Sequence, residues 1–167
     1  MDGHSLFVLL IIIPIIHTEL RFTNIKCETR DPSFSDFEYC YLKSINRTYK
    51  YFSLKVRLYK IPVTVIHVGF ALSKKESGYK PFLYNFTIDG CKYLKSPKNR
   101  LITFFYEIFK VYSNINHTCP FNHDIIVDKL NSQSMDNSFT RVLPFPSGDY
   151  IIHSSWYAYN ILRATVN

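Results

Sequence analysis

Glycine is scarce in this chain, five residues in 167, too few and too scattered to build the glycine-rich loop that cradles a phosphate. No C-x-x-C pair, H-E-x-x-H helix or G-x-S-x-G elbow occurs, which removes the usual sequence grounds for thioredoxin chemistry, a zinc protease or a hydrolase nucleophile. No apolar run approaches the ~20 residues that a spanning helix needs; the longest is the eleven from Leu6 to Ile16. Internal repeats and low-complexity tracts are absent. A hydrophobic content of 47% excludes a disordered or collagen-like chain, and the length suits one globular domain that buries roughly 70% of its unfolded surface.

What is present starts with that apolar run. Followed by the polar His17, Thr18 and Glu19, it reads as a secretory signal peptide over residues 1–18, with residues 19–167 as a single exported, extracellular domain. No Lys or Arg precedes the run and no small-x-small triplet follows it, so the cut is placed only near Thr18 to Leu20. Four cysteines follow the leader, an even number in an oxidising compartment, which predicts two disulfides. Of the three pairings, the one in which each bridge closes a local loop joins Cys27 to Cys40 and Cys91 to Cys119. Three glycosylation acceptors, Asn46, Asn85 and Asn116, each begin an N-x-T triplet. Composition alone would supply roughly one or two, so their weight comes from position: Asn46 falls between two strand-like runs and Asn116 in a polar stretch after a predicted helix.

Periodicity sets the fold class. From Thr48 to Lys60 the apolar Phe52, Leu54, Val56 and Leu58 alternate with Ser53, Lys55, Arg57 and Tyr59, a strand with one wet face. After Ile61-Pro62 the pattern resumes from Val63 to Ser73, with Ile66, Val68, Phe70 and Leu72 on one face, as a hairpin or a corner. Pro81 to Asp89 places Tyr84, Phe86 and Ile88 on one side and Asn85 on the wet side. Further strands are predicted at Phe22 to Glu28, Glu38 to Ile45, Asp124 to Leu130, Phe139 to Leu143 and Tyr150 to Ala158, with a short last one from Ile161. The period changes after Ser96-Pro97, read as an N-cap and first-turn proline. There Leu101, Phe104, Phe105, Ile108, Phe109 and Tyr112 recur at helical spacing, one amphipathic helix ending near Ser113. The fold class is therefore mainly β: an antiparallel β-sandwich or β-cup, immunoglobulin-like, with one amphipathic helix.

Chemistry-bearing constellations are sparse. His67 and His153 fall within strand patterns, and His117 and His123 are six apart, outside the three-to-five spacing of paired ligands. Asp124 and Asp128 share one strand face and read as solvated. No catalytic residue, metal or cofactor is assigned. The excess of 20 Lys and Arg over 13 Asp and Glu includes a cluster at Lys92, Lys95, Lys98 and Arg100. Export argues against nucleic acid as its partner and leaves an anionic membrane surface or a receptor. The aromatic load, 14 Phe, 13 Tyr and one Trp, can be core or can line an apolar cavity. The residues in question are the inward faces just named together with Phe105, Phe109 and Trp156.

Several ordered blocks carry a resemblance: Phe22 to Cys27, Asp89-Gly90-Cys91, Asn116 to Pro120, and Leu143 to Tyr150. Together they resemble a large family of small secreted insect proteins related to the CheB chemosensory proteins and, more distantly, to the ganglioside activator and ML lipid-recognition domains. The resemblance implies a secreted β-sandwich or β-cup that holds a lipid or other hydrophobic small molecule without enzymatic activity, and it fits the Cys91–Cys119 pairing. The alternative is an extracellular interaction module with a solid core that acts through its basic surface.

Overall fold

A computed structural model describes residues 20–136 and 146–167. The leader and the strand expected at Phe139 to Leu143 lie outside the described residues. Eight strands are described: β1 (Cys27–Thr29), β2 (Ser35–Ser44), β3 (Lys50–Leu58), β4 (Ile66–Glu76), β5 (Gly78–Asp89), β6 (Ile125–Asn131), β7 (Tyr150–Ala158) and β8 (Ile161–Val166). Two helices, α1 (Gly90–Lys95) and α2 (Arg100–Lys110), follow β5, and residues 132–136 form a further helical turn. The strands make two antiparallel sheets, a wide one in the order β1-β8-β7-β4-β5 and a narrow one in the order β2-β3-β6. This is the β-sandwich that the periodicity predicts.

The turn after β4 depends on Gly78, whose φ of 119° only glycine adopts without strain, and it folds β5 back along β4 as a long hairpin. On β5 burial alternates as the pattern requires: Phe82, Tyr84, Phe86 and Ile88 turn inward, and Leu83, Asn85 and Thr87 face water. β3 and β4 belong to different sheets, so the Ile61-Pro62 break is a corner rather than a hairpin.

Elsewhere the structure corrects the sequence reading. Ser53 is not on a wet face: it is fully buried. Between Phe52 and Leu54 the β3–β6 register shifts, so that Asp128 and Lys129 together oppose Ser53. The Ser53 hydroxyl donates to Asp128 Oδ1 (3.2 Å) and accepts from the Lys129 N–H (2.9 Å), satisfying the backbone that the bulge frees. The helix does not begin at Ser96-Pro97. Ser96 closes α1 instead, its N–H donating to the carbonyls of Lys92 and Tyr93, and Asn99 is the α2 N-cap, accepting from the N–H groups of Leu101 and Ile102. One predicted helix is thus replaced by α1, α2 and the turn at 132–136. The first predicted strand, Phe22 to Glu28, shrinks to Cys27–Thr29, although Phe22 still packs edge-on against Phe52 with ring centres 5.4 Å apart. β8 is paired on both sides, by β7 and β1.

Three strands cannot cover five, and α2 fills the difference. Its Ile108 is buried among Leu54, Val127 and Leu130 of the narrow sheet, while Phe105 lies 4.4 Å from Phe70 and 5.6 Å from Tyr84 on the wide one. Both predicted disulfides form, with no free cysteine. Cys27–Cys40 joins β1 at the edge of the wide sheet to β2 at the edge of the narrow one, opposite the helix; Cys91–Cys119 ties α1 to the loop after α2.

Replacing Cys27 and Cys40 together by Ala should cost about 3 kcal/mol of stability in denaturant unfolding, the loop-closure value for a bridge of this span; an unchanged midpoint would show that the sheets stay registered without it. On the outer face of β2, Arg57 and then Lys55 hydrogen-bond Glu38 and hold its carboxyl at about 2. The unfolded chain takes up this proton near the ordinary 4.5, so the contribution is whole above that pH and fades as the pH falls towards 2. Acid unfolding of Glu38→Gln should therefore show a shallower loss of stability than wild type across that window, and added salt should narrow the gap.

Candidate functional site

The inward faces divide into two neighbourhoods. At the α2 side, Phe70 stacks on Phe86 at 5.3 Å, and Phe105 of α2 meets both rings and that of Tyr84. Leu54 and Leu72 are buried core beside this group, with Phe52 and Val56 packed against the Leu54 cluster. At the other end, Ile66, Val68 and Trp156 line an apolar pocket of about 70 Å³ whose remaining walls are Gly90, Leu94, Ile115, Phe121 and Ile125. Leu58 packs against the core cluster at this end, and Phe109 touches the clusters at both ends. Ile88 is half-buried at the inner face of β5. The structure thus brings three of the predicted cavity residues to one pocket and places the rest in packed aromatic and aliphatic core around it.

A second, outer pocket of about 220 Å³ opens beside the first. Tyr93, Thr103, Tyr106, Glu107, Lys110 and His117 contribute to it, and Asn116 and Thr118 complete one wall. Leu94 is a wall of both pockets. The two tyrosines are pinned: Tyr93 donates its hydroxyl hydrogen to Thr103 Oγ1 (3.0 Å) and Tyr106 to the Ile115 carbonyl (2.9 Å), with the rings edge to face at 5.5 Å. Burial raises the Tyr106 phenol above its ordinary value.

The loop after α2 holds the arrangement least visible in the sequence. His117 and His123 meet with their Nε2 atoms 2.7 Å apart, so one of them carries the proton between them. His117 Nδ1 lies 2.7 Å from the Thr118 carbonyl, and the Asn114 amide donates to the Asp124 carbonyl (2.7 Å) 3.0 Å from His123 Nδ1. Both rings pack on Phe121, the most deeply buried large side chain. Among the described residues no three His, Cys, Asp or Glu side chains converge as a metal site. His67 and His153 sit in β4 and β7 as the pattern predicts.

Lys92, Lys95, Lys98 and Arg100 are all exposed around α1 and the start of α2, while the neighbouring Tyr93 turns inward and is buried. The acceptors Asn46, Asn85 and Asn116 are exposed as well. Among the described residues no helix is long and apolar enough to cross a membrane.

Gly90, Leu94, Ile115, Phe121 and Ile125 are the inner-pocket residues that sequence reasoning missed. They come from α1, two loop positions and the first residue of β6, and no shared period links them.

These features define a disulfide-bonded, two-sheet antiparallel sandwich with an apolar pocket closed by a helical segment. The chain belongs to the family of proteins of unknown function designated DUF1091, whose model matches residues 66–152. The matched segment carries β4, β5, both helices, β6 and the start of β7, and with them most of both pockets. A comparison with curated proteins finds no match.

Phe121 joins the inner pocket to the histidine pair, so Phe121→Ala should cost about 3–5 kcal/mol in chemical denaturation; a loss below 1 kcal/mol would mean that this end of the sandwich is not close-packed.

Proposed function

We propose that this protein is a secreted, non-enzymatic carrier that holds the apolar part of a lipid or other hydrophobic small molecule between its sheets, at the Trp156 end. The observation that carries the reading is the inner pocket, lined by aliphatic and aromatic side chains and glycine alone and divided from the outer pocket by Leu94. At about 70 Å³ it is smaller than the roughly 300 Å³ at the low end of small-ligand sites. A larger ligand is accommodated along the continuous inner face of β4, from Ile66 and Val68 to Phe70, where the half-buried aromatic group around Phe105 supplies surface to displace. Affinity then comes from removing apolar surface from water, at about 25 cal/mol per Å² buried. Two disulfides, with the apolar leader, support export. The resemblance to CheB and ML lipid-recognition proteins supports the ligand class, and with it a role in chemosensory or extracellular signalling as part of this proposal.

The exposed basic group at Lys92, Lys95, Lys98 and Arg100 favours a second reading, an extracellular interaction module with a solid core whose partner is an anionic membrane or a receptor. Native mass spectrometry of the secreted protein, followed by organic extraction and titration with an apolar dye, decides between them. The carrier reading expects a co-purifying apolar molecule displaced by dye, loss of dye uptake in Val68→Phe with the fold retained, and greater uptake in Leu94→Ala. A clean apo mass with no dye uptake would sink it. Reversing the charge at Lys92, Lys95 and Lys98 should leave dye uptake intact, and would abolish partner binding if the second reading holds.

A further inference from the structure

The outer pocket is not apolar, and the carrier reading leaves it unused. We propose that Asn116 bears an N-linked glycan whose first sugar is seated in this pocket, chiefly against the ring of Tyr106. The inference rests on passage through the secretory pathway, which is part of the function proposed above.

Asn116 and Thr118, the two residues that make the triplet an acceptor, are both exposed and both belong to the pocket wall. The Asn116 side chain has no hydrogen-bond partner among the described residues, whereas Asn114, two positions earlier, is bound through its carbonyl oxygen and its amide nitrogen. The backbone that presents Asn116 is fixed on both sides, by the Tyr106 hydroxyl on the Ile115 carbonyl and by the Cys91–Cys119 bridge. A sugar attached here therefore starts at the pocket instead of reaching it by chance.

The pocket chemistry suits a pyranose. The Tyr93 and Tyr106 hydroxyl hydrogens are already spent on Thr103 and Ile115. Tyr93 is buried, so the ring surface offered to the C–H face of a sugar is chiefly that of the half-buried Tyr106, with Lys110 Nζ 5.6 Å from its centre. Glu107 and Lys110, exposed in part and ion-paired with each other at 3.2 Å, stand at its side with further acceptor and donor capacity for sugar hydroxyls and the acetamide, whereas the Thr103 hydroxyl is already held by Tyr93 and the Asn99 carbonyl. A volume of about 220 Å³ is scaled to one sugar unit rather than to a lipid. The other two acceptors have no such surroundings: Asn46 stands in the exposed turn between β2 and β3, its carbonyl oxygen already accepting from Thr48 and Tyr49, and Asn85 stands on the water side of β5. A seated sugar at Asn116 also stands over Leu94, the wall between outside and inner pocket.

The test uses the full chain secreted from mammalian cells, with glycopeptide mapping followed by peptide-N-glycosidase digestion of the native protein. The expected result is occupancy at Asn116, with release at least tenfold slower than at Asn46 and Asn85, and equal rates at all three once the protein is denatured. Tyr106→Ala should speed native release at Asn116 alone. Equal native rates at occupied sites would overturn the proposal, as would an empty Asn116 beside occupied Asn46 and Asn85, an outcome that leaves the secretory reading standing. A chain that is not exported and carries no sugar at any site would overturn both, while normal glycan shielding with no dye uptake would overturn the carrier reading alone.

Discussion

The mismatch between a five-stranded and a three-stranded sheet governs this molecule. A sheet face is stable only when its apolar side is covered, and the narrow sheet leaves the β4–β5 half of the wide one open. The chain resolves this by inserting α1 and α2 directly after β5, so that the helix which must cover that half leaves from the strand it covers. Phe105 supplies the contact to the wide sheet and Ile108 the contact to the narrow one, three positions apart on one helical face.

Both pockets follow from this solution. A helix does not tile a pleated surface as a strand does. Where α1 turns away at Ser96, space remains on either side of Leu94: an apolar remnant between the sheets and a more polar one outside. The candidate sites therefore lie at the seam between sheet and helix, and not in the middle of the sandwich, where Leu54 and its neighbours are buried and packed.

How far this could be read from the sequence depends on whether the residues concerned are local. The inward and outward faces of β5 were legible because water lies on one side, and the α2 stripe was legible because its neighbours in space are three and four apart in the chain. The disulfides were legible through loop closure. Ser53 was not, because a bulge shifts the pairing by one residue at that point and a period-two reading cannot contain a bulge. The helix start was misplaced because Ser96 and Asn99 are both good caps, and only the geometry of α1 assigns each to its end. The pockets were legible only in part: Ile66, Val68 and Trp156 stand on periodic strands, whereas Leu94, Ile115 and Phe121 are contributed by separate segments. The meeting of His117 and His123 across a loop has no spacing signature.

The outer strand of the wide sheet has one further consequence. Among the described residues β5 has no neighbour beyond β4, and an open edge of twelve residues is a template on which another chain could add a strand. β5 is poorly suited to that. Its pairing with β4 slips between Ala71 and Ser73, Leu83 adopts a φ of 55°, Pro81 offers no N–H, and Lys80 is exposed. These interruptions bend the edge out of register and place charge on it, so the same strand that leaves room for the covering helices is also a poor template for strand addition by another chain.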